Sequence, residues 1–401
     1  MVSRRTMLAA GAGVAAGLTA AGCGRPARWA AAGSTGPGSA GAARVTVRPA
    51  ADATGVSPTE AITVGTGAGT IQAVTVTGGS RAVAGTLAAD QRSWRSTGPL
   101  EYSRTYTVTV TVVDRAGRPA EHTSHFQTLR PSAVAAVTYQ ANALRALKSG
   151  ATYGVGQPVV VHFGKAVKDR AAAERAMSVS TEPAVEGRWR WIDNQTAHYR
   201  PARYWTPGTA ITVAVDVLGV HLGNGVYGES NTSAQLRIGP SRIAIADADT
   251  HHMRVFIDGK LVRTIPVRHG KGGSVTGNRG QTIRYWTNNG PHVVLDRRPS
   301  VQMTSASYGI TDPKSPNYYS EKVLLCCRIS YSGEFVHLAD WNIPQHGRAN
   351  TSHGCINVGP ANARWFYDTF GIGDVVEVRN SPVQLAFDNG LGDWTIPWDQ
   401  W

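Results

Sequence analysis

The sequence is poor in charged residues and in cysteine. Charged residues make up 17% of the chain, and only four of its 401 residues are cysteines. Zinc-ligand spacing, an RNA-binding signature and basic runs with interleaved aromatic residues are all missing, so nucleic acid is not expected as a partner. The formal net charge of +13 instead suits another polyanion, such as cell wall or anionic lipid.

Long apolar runs are also scarce, and none beyond the N-terminal region could span a membrane. With 401 residues, the chain is expected to form two to four domains. Hydrophobic residues make up 42% of it, and its 45 glycines accompany many threonines and valines. This mixture favours β-rich domains joined by turns over helical bundles.

Residues 1–23 predict an export signal that ends in a lipidated cysteine. The twin arginine Arg4-Arg5 precedes an apolar stretch over residues 7–21, which is typical of exported proteins and indicates the Tat route. The small residues before Cys23 resemble the bacterial lipobox, although Ala20 stands where leucine is more common. We expect a lipid on Cys23 that anchors an exported protein to the outer face of the cytoplasmic membrane. The alternative is a plain cleaved signal with an incidental cysteine.

Residues 24–239 predict a linker followed by two β-sandwich domains. Residues 24–43 are rich in Gly, Ala, Ser and Pro, which predicts a flexible linker. Residues 44–130 and 131–239 both alternate polar and apolar residues between turn signals, as in immunoglobulin-like domains. A sequence echo at a spacing of about 100 residues suggests a duplication. Neither domain contains a cysteine, and we interpret both as spacers, with binding of wall polymer as the alternative.

Cys355 and His337 are the candidate catalytic pair. A thiol needs a base to become a thiolate at neutral pH, and imidazole is suited to that task. Gly354 leaves room for a substrate close to the backbone, and successive N–H groups around it predict an oxyanion hole. His337 ends an alternating run that predicts a strand. Cys326 and Cys327 lie in an apolar run and are expected to be buried thiols in a strand.

The spacing of this pair resembles the signature of a known enzyme family. His337, fourteen further residues and then Ser-His-Gly-Cys-Ile-Asn over residues 352–357 resemble the L,D-transpeptidase (YkuD-type) signature. The similarity extends over residues 240–380 and into the Trp-rich tail of residues 381–401, which is expected to dock against a neighbouring domain. The resemblance to lipoprotein members of mycobacterial type implies a mostly β fold. Two immunoglobulin-like β-sandwich domains would precede a β-rich L,D-transpeptidase catalytic domain.

The resemblance implies an enzyme that cross-links peptidoglycan. Cys355 would attack the carbonyl of the third residue, a diamino acid, in a tetrapeptide stem and release the terminal D-Ala. The side-chain amine of another stem would then attack the thioester and form a 3→3 cross-link, with His337 transferring the protons. Carbapenem-like β-lactams would acylate Cys355. We expect a monomer that acts in the periplasm or cell wall and needs no metal or organic cofactor.

The same resemblance implies further site residues. The backbone N–H groups of His353, Gly354 and Cys355 would stabilise the oxyanion, and residues 297–322 would form a lid over the site. For Asn357 and for the aromatic lid residues, a purely structural role is the alternative. The residues implied to contact substrate are Met303, Tyr308, Tyr319, Ser332, Gly333, Trp341 and Asn357, with the side chain of His353 as a further candidate.

Three features depart from the family pattern. Leu338 stands where relatives have serine, so only its backbone carbonyl could orient His337. Ser-Val-Thr-Gly at residues 274–277 replaces a Thr-Pro-Thr turn, and Cys326-Cys327 has no counterpart.

Other functions stay open on the sequence alone. Transfer of the thioester to water would make the protein an L,D-carboxypeptidase, and transfer to another amine would attach a protein to the wall. A non-catalytic wall-binding protein and a secreted cysteine protease are the remaining alternatives. The acceptor separates the first two, and the presence of both His337 and Cys355 argues against a non-catalytic role.

Overall fold

The computed structural model describes residues 44–401 and shows a mostly β chain with three successive β-rich regions. This confirms the predicted fold class. Cys23, the export signal and the predicted linker lie outside the described residues, so those predictions stay open. Across residues 44–401, no helix has the length and apolar character needed to cross a membrane.

The first region is a β-sandwich of two four-stranded sheets. Its strands are β1 (Val45–Arg48), β2 (Ala53–Val56), β3 (Thr63–Thr66), β4 (Thr70–Thr77), β5 (Gly85–Leu87), β6 (Ser93–Ser96), β7 (Thr105–Val113) and β8 (Pro119–Thr128). One sheet has the order β1-β3-β6-β5 and the other β2-β8-β7-β4. Along β7, Tyr106, Val108, Val110 and Val112 are buried in alternation with less buried residues. This two-residue period puts one face of the sheet in the core.

The second region is a larger sandwich with one short helix. Its elements are β9 (Ala133–Ala135), β10 (Val137–Asn142), β11 (Arg145–Ala146), β12 (Thr152–Tyr153), β13 (Val159–Phe163), α1 (Arg170–Arg175), β14 (Met177–Glu182), β15 (Gly187–Trp191), β16 (Thr196–Pro201), β17 (Ala210–Asp216), β18 (His221–Gly223), β19 (Val226–Gly228) and β20 (Asn231–Ile238). The main sheets have the orders β11-β10-β13-β16-β15 and β12-β20-β17-β14. A three-stranded sheet, β18-β19-β9, joins them.

The third region contains a nine-stranded mixed sheet. Its elements are β21 (Arg242–Asp247), β22 (His252–Ile257), β23 (Lys260–Arg268), β24 (Ser274–Thr276), β25 (Thr282–Arg284), β26 (Gly290–Val293), β27 (Asp296–Thr304), β28 (Ser320–Arg328), β29 (Phe335–Leu338), β30 (Ile356–Val358), α2 (Pro360–Thr369) and β31 (Val375–Arg379). The order in the large sheet is β26-β31-β21-β22-β23-β30-β29-β28-β27. Strands β24 and β25 form a separate hairpin that includes the unusual residues 274–277.

Helix α2 covers one face of this sheet and completes its core. Pro360 occupies the first turn, where a helix loses nothing from the missing N–H. Ala363 and Phe366 are fully buried, and the ring of Phe366 stacks on that of Phe370 at 4.1 Å between centroids. The helix shares this core with residues of β29 and β30 and therefore stabilises both strands.

The second sandwich docks directly on the third region. The backbone N–H of Gly154 donates to the carbonyl of Ile372 at 2.9 Å, and that of Gly156 donates to Gly373 at 2.8 Å. A Cβ atom on Gly154 would lie 2.1 Å from the backbone nitrogen of Asp374, so only glycine permits this approach. The two regions thus share a close backbone contact.

The C-terminal tail packs on the second sandwich around one arginine. The guanidinium of Arg200 lies 4.9 Å from the ring of Trp394, 5.6 Å from that of Trp398 and 4.2 Å from that of Trp401. The indole N–H of Trp394 donates to Gly156 at 2.8 Å. The expected docking of the Trp-rich tail against a neighbouring domain is confirmed.

Strands β27 and β28 form an antiparallel hairpin within the predicted lid. They pair from Asp296 with Arg328 to Thr304 with Ser320, so only residues 305–319 lie outside the ladder. Cys326 and Cys327 lie in β28, and both are free thiols with no exposed surface. Their predicted burial in a strand is confirmed.

Candidate active site

Cys355 and His337 lie on neighbouring strands at the centre of the large sheet. His337 belongs to β29, and Cys355 immediately precedes β30, which runs parallel to β29. The register pairs His337 with Asn357 and Val336 with Ile356. Since Cys355 is two residues before Asn357, its side chain points to the same face of the sheet as that of His337, diagonally across neighbouring strands.

The Cys355 thiol lies in a largely apolar recess. Its Sγ is 3.7 Å from the carbonyl oxygen of Gly333, and the side chain packs against Val323, Cys326 and Phe335. Burial disfavours the thiolate and raises the pKa of Cys355 to about 12. The sulfur is therefore a neutral thiol in the free protein, and a nucleophilic reaction at this sulfur would need a base to remove its proton.

His337 has the tautomer that such a base requires. Its Nδ1 lies 2.7 Å from the carbonyl oxygen of Leu338, which can only accept a hydrogen bond. Nδ1 therefore carries the proton, and Nε2 keeps a free lone pair. Burial, with a smaller contribution from the charge of Arg268, lowers the pKa of His337 to about 4. The imidazole is thus neutral at physiological pH.

The loop before Cys355 is fixed by two hydroxyl groups. Ser352 Oγ accepts from the N–H of Gly354 at 3.1 Å and donates to the carbonyl of Cys355 at 2.6 Å. Thr287 Oγ1 donates to the carbonyl of Gly354 at 2.8 Å and accepts from the N–H of Gly270 at 3.0 Å. Gly354 has φ of 136°, a conformation that favours glycine.

These contacts correct one expectation about the oxyanion hole. The N–H of Gly354 is engaged by Ser352 within the loop and does not point to the reacting carbonyl in this conformation. The N–H groups of His353 and Cys355 stay the candidate donors. Two donors are sufficient for an oxyanion hole of the usual kind.

His353 is held between two tyrosines. Its ring stacks on Tyr319 at 4.7 Å between centroids and meets Tyr285 edge-on at 4.9 Å. The Nζ of Lys271 lies 3.4 Å from its Nε2. Burial, with a smaller effect from the charge of Lys271, lowers the pKa of His353, which favours the neutral imidazole.

A cavity of about 730 Å³ opens above Cys355 and His337. The hairpin of β27 and β28 forms one wall, and the ring of Tyr319 joins it to His353. Trp341 forms another wall, with its ring 6.2 Å from that of His337 and 40% of its surface exposed. The structure brings every predicted site residue of the catalytic domain into this cavity: Met303, Tyr308, Tyr319, Ser332, Gly333, His337, Trp341, His353, Gly354, Cys355 and Asn357.

Sequence reasoning missed three residues of the site. Thr287 supports the Cys355 loop, Glu334 receives hydrogen bonds from Asn288 beside the thiol, and Arg268 lines the cavity. None of the three belongs to the motif of residues 352–357, and each is brought to the site by strand pairing or by a long loop. Strand β23 also contains Lys260 and Arg263, so no local pattern distinguishes Arg268 from the other cations of that strand.

Comparison with known proteins decides the family. The family description "L,D-transpeptidase catalytic domain" matches residues 241–378, and "Bacterial Ig domain" matches residues 53–221. L,D-transpeptidase 2 of Mycobacterium tuberculosis is 39% identical over 351 residues, which cover 87% of this chain and 81% of that protein. The chain belongs to the L,D-transpeptidases. The family recognised from the signature is confirmed.

Other L,D-transpeptidases are also similar to this chain. L,D-transpeptidase 5 of Mycobacterium tuberculosis is 31% identical over 364 residues, covering 89% of this chain and 76% of that protein. A solved structure of the LD transpeptidase LdtMt1 in complex with imipenem is 30% identical. It covers 60% of this chain and 98% of its own, with a TM-score of 0.48. The two family matches place a bacterial immunoglobulin-like region before the catalytic domain.

Proposed function

We propose that this L,D-transpeptidase forms 3→3 cross-links in peptidoglycan through a thioester on Cys355. The observation that carries the proposal is the hydrogen bond of 2.7 Å between His337 Nδ1 and the Leu338 carbonyl. It leaves Nε2 free on the strand beside the one that Cys355 precedes. A neutral imidazole next to a neutral thiol is the arrangement that general-base attack requires.

Acylation begins when Cys355 attacks the carbonyl carbon of the third stem residue. His337 Nε2 takes the thiol proton while the S–C bond forms. The C–N bond to D-Ala then breaks, and the proton on His337 passes to the leaving nitrogen. The N–H groups of His353 and Cys355 stabilise the negative oxygen of the tetrahedral intermediate.

Transfer reverses the same proton movements. The side-chain amine of a second stem attacks the thioester carbonyl and loses a proton to His337. The C–S bond breaks, and the sulfur takes that proton as it leaves. The products are an amide between two third residues and the free Cys355 thiol.

The same nucleophile would also react with β-lactams. A carbapenem presents a strained amide carbonyl, and attack by Cys355 would open the ring and leave a thioester. We propose that carbapenems acylate this protein at Cys355. Met303, Tyr308 and Tyr319 on the lid side of the cavity would contact the donor peptide or the drug.

The site of action follows from the N-terminal sequence. Lipidation of Cys23 would anchor the protein on the outer face of the cytoplasmic membrane, with its catalytic domain in the periplasm or cell wall. The test is mass spectrometry of the N-terminal peptide isolated from membranes. A diacylglyceryl adduct on Cys23 is expected, and a mature protein that begins elsewhere would contradict the anchor.

The decisive experiment uses residues 44–401 and the variant Cys355→Ala. Each protein is incubated with a carbapenem and with a purified disaccharide-tetrapeptide, and followed by intact-mass spectrometry. A covalent adduct on the wild type alone and a product dimer with loss of D-Ala are expected. The variant retains Cys326 and Cys327, so it also serves as the control for labelling at the buried thiols.

Other outcomes separate the alternatives. Loss of D-Ala without a dimer would indicate an L,D-carboxypeptidase. Transfer to a protein amine only would indicate attachment of proteins to the wall. The absence of both adduct and turnover would overturn the enzyme mechanism and leave a wall-binding function.

A further inference from the structure

Arg268 is a buried cation without a carboxylate partner. Only 1% of its surface is exposed, yet it lines the cavity that contains Cys355. Its Nη1 donates to Thr351 Oγ1 at 2.7 Å and its Nη2 to the carbonyl of Trp341 at 3.4 Å, and both acceptors are neutral. Its Nε has no hydrogen-bond partner. None of the salt bridges formed within residues 44–401 includes it.

The acids of the cavity wall do not neutralise this charge. Glu334 accepts from the backbone of Asn288 at 2.6 Å, and Glu321 lies on the lid strand β28 opposite Met303. An unpaired buried guanidinium is costly because it loses hydration without gaining a counter-charge. Its position in the wall of an open cavity therefore indicates an anion that enters from outside.

The sheet places Arg268 in line with the catalytic base. Arg268 on β23 pairs with Asn357 on β30, and Asn357 pairs with His337 on β29. Directly paired residues of neighbouring strands point to the same face. With strands about 4.8 Å apart, the backbones of Arg268 and His337 are separated by roughly 10 Å. Asn357 lies between them, and its Oδ1 has no hydrogen-bond partner. The three paired residues therefore present one unpaired donor, the Nε–H of Arg268, and one unpaired acceptor, the Oδ1 of Asn357.

Two amines must come close to His337 during the proposed reaction, on which this inference rests. One is the leaving nitrogen of D-Ala, which receives a proton, and the other is the acceptor nitrogen, which gives one up. The carbon next to the D-Ala nitrogen carries a carboxylate. The same is true of an acceptor amine in a diamino acid with a second carboxyl group. When such an amine is close to His337, its carboxylate can point toward Arg268, which lies two strands away on the same face of the sheet.

We propose that Arg268 binds the carboxylate adjacent to the amine that exchanges a proton with His337. The guanidinium forms a charge-assisted hydrogen bond through its free Nε–H, and Asn357 Oδ1 accepts from the ammonium or amine group. No covalent bond changes at Arg268. The amine attacks the Cys355 thioester, its proton passes to His337, and the sulfur leaves with that proton as already described. The site therefore selects α-amino carboxylates over amines without a carboxylate and over water.

Acceptor kinetics test this selectivity. The disaccharide-tetrapeptide serves as donor, and D-methionine and D-methioninamide serve as acceptors that differ only in the carboxylate. The quantity measured is the kcat/KM for D-methionine divided by that for D-methioninamide. The two amines differ in basicity, but this difference is the same for every protein, so it cancels when the ratio of a variant is compared with that of the wild type. In Arg268→Gln the ratio is expected to fall by about tenfold to a hundredfold, the usual effect of a hydrogen bond to a charged group. Arg268→Lys keeps the positive charge but lacks the planar guanidinium group with its several N–H donors, so it should give an intermediate ratio.

Two controls guard against a folding defect. Arg254→Gln removes an exposed arginine from β22 of the same sheet and should keep the wild-type ratio. Alkylation of Cys355 by iodoacetamide, a neutral reagent, reports whether the recess around the thiol survives in each variant. An Arg268→Gln protein that alkylates like the wild type and keeps the wild-type ratio would overturn the proposal.

Direct binding separates this inference from the proposed function. In Cys355→Ala protein, the ¹⁵Nε–¹H resonance of Arg268 is followed by NMR during titration with D-alanine and with D-alaninamide. A shift caused by D-alanine alone is expected. Equal responses to both ligands, or none to either, would overturn carboxylate binding even if cross-linking is established. A shift with D-alanine in a protein that never releases D-Ala would keep the anion site while the transpeptidase mechanism fails.

Discussion

The Nδ1 atom of His337 lies 2.7 Å from the carbonyl oxygen of the next residue, Leu338. The imidazole of the proposed base is thus oriented by its own strand and not by a neighbouring side chain. Because the carbonyl group is part of β29, whose position is fixed by pairing with β28 and β30, this orientation does not depend on the chemistry at position 338. The leucine at this position removes no atom that the base needs.

Leu338→Ser is therefore expected to leave kcat/KM within about twofold of the wild type. The backbone carbonyl persists in both proteins, and a serine hydroxyl would only add a second acceptor. His337→Ala should instead lower the rate of acylation by about a hundredfold or more, the usual contribution of a general base. Carbapenem acylation followed by stopped-flow measures both. A large loss in Leu338→Ser would show that the carbonyl alone does not orient the ring.

The pH dependence of acylation should reflect the low pKa of His337, which burial moves from 6.5 to about 4. Above pH 4 the imidazole is neutral and can accept the thiol proton, and below it the protonated ring cannot. Because burial raises the pKa of Cys355 to about 12, no thiolate forms in the neutral range. We expect the acylation rate to be constant between about pH 9 and pH 5. It should fall as the pH is lowered further, with half of the rate lost at about pH 4. A decline centred near pH 6.5 would contradict the buried neutral imidazole.

The same shift predicts a dependence of stability on pH. Above pH 6.5, His337 is neutral in both the folded and the unfolded chain, so it has no effect. Between pH 6.5 and about 4 the unfolded chain binds a proton that the folded chain does not, which favours unfolding as the pH falls. The loss should reach about 3 kcal/mol near pH 4, at 1.36 kcal/mol per unit of pKa. Urea denaturation of wild type and His337→Gln at pH 7 and pH 4 isolates this contribution from that of His269, whose pKa burial also lowers to about 4. Equal losses in the two proteins would assign the effect to other groups.

Thr287→Val tests the support of the nucleophile loop. Valine has nearly the same shape but leaves the carbonyl of Gly354 and the N–H of Gly270 without their partner. The free energy of unfolding should fall by about 2 kcal/mol, and the acylation rate by about tenfold as Cys355 loses its position. Thr264→Val, at an exposed position of β23, is the matched control and should change neither quantity. An unchanged acylation rate in Thr287→Val would show that Ser352 alone fixes the loop.

Local sequence patterns predicted the strands of this fold well. The alternation around Tyr106 and Val108 predicted β7, and the spacing of His337 and Cys355 indicated the candidate catalytic pair. Both signals lie within short windows, where side-chain period and motif spacing are directly readable. The Trp-rich ending likewise indicated a docked tail, although its partner Arg200 was not predicted.

The register between strands that are distant in the chain could not be predicted from the sequence. Arg268 precedes His337 by a long stretch of chain, and only the pairing of β23, β30 and β29 aligns them through Asn357. A shift of one residue in either pairing would turn Arg268 to the opposite face, and no local pattern excludes such a shift. The engagement of the Gly354 N–H by Ser352 was missed for a related reason, because hydrogen bonds inside a loop depend on its three-dimensional turn.

Deletion of residues 398–401 tests whether the tail couples the second sandwich to the catalytic domain. It removes the rings of Trp398 and Trp401 from Arg200 and the hydrogen bond of 3.0 Å from the Trp401 indole to Arg188. It also removes the contacts of Trp398 with Arg188 and of Trp401 with Arg190, so four cation–π contacts are lost. At about 0.5–1 kcal/mol for each exposed contact, the loss is about 2–4 kcal/mol, and the second sandwich should melt at a lower temperature. These residues do not line the cavity, so the acylation rate at 25 °C should be unchanged. Differential scanning calorimetry should show an earlier transition for the deletion variant, with Trp401→Phe close to the wild type because the ring is kept. Identical calorimetric profiles would show that the contacts of Trp394 hold the tail without the last four residues.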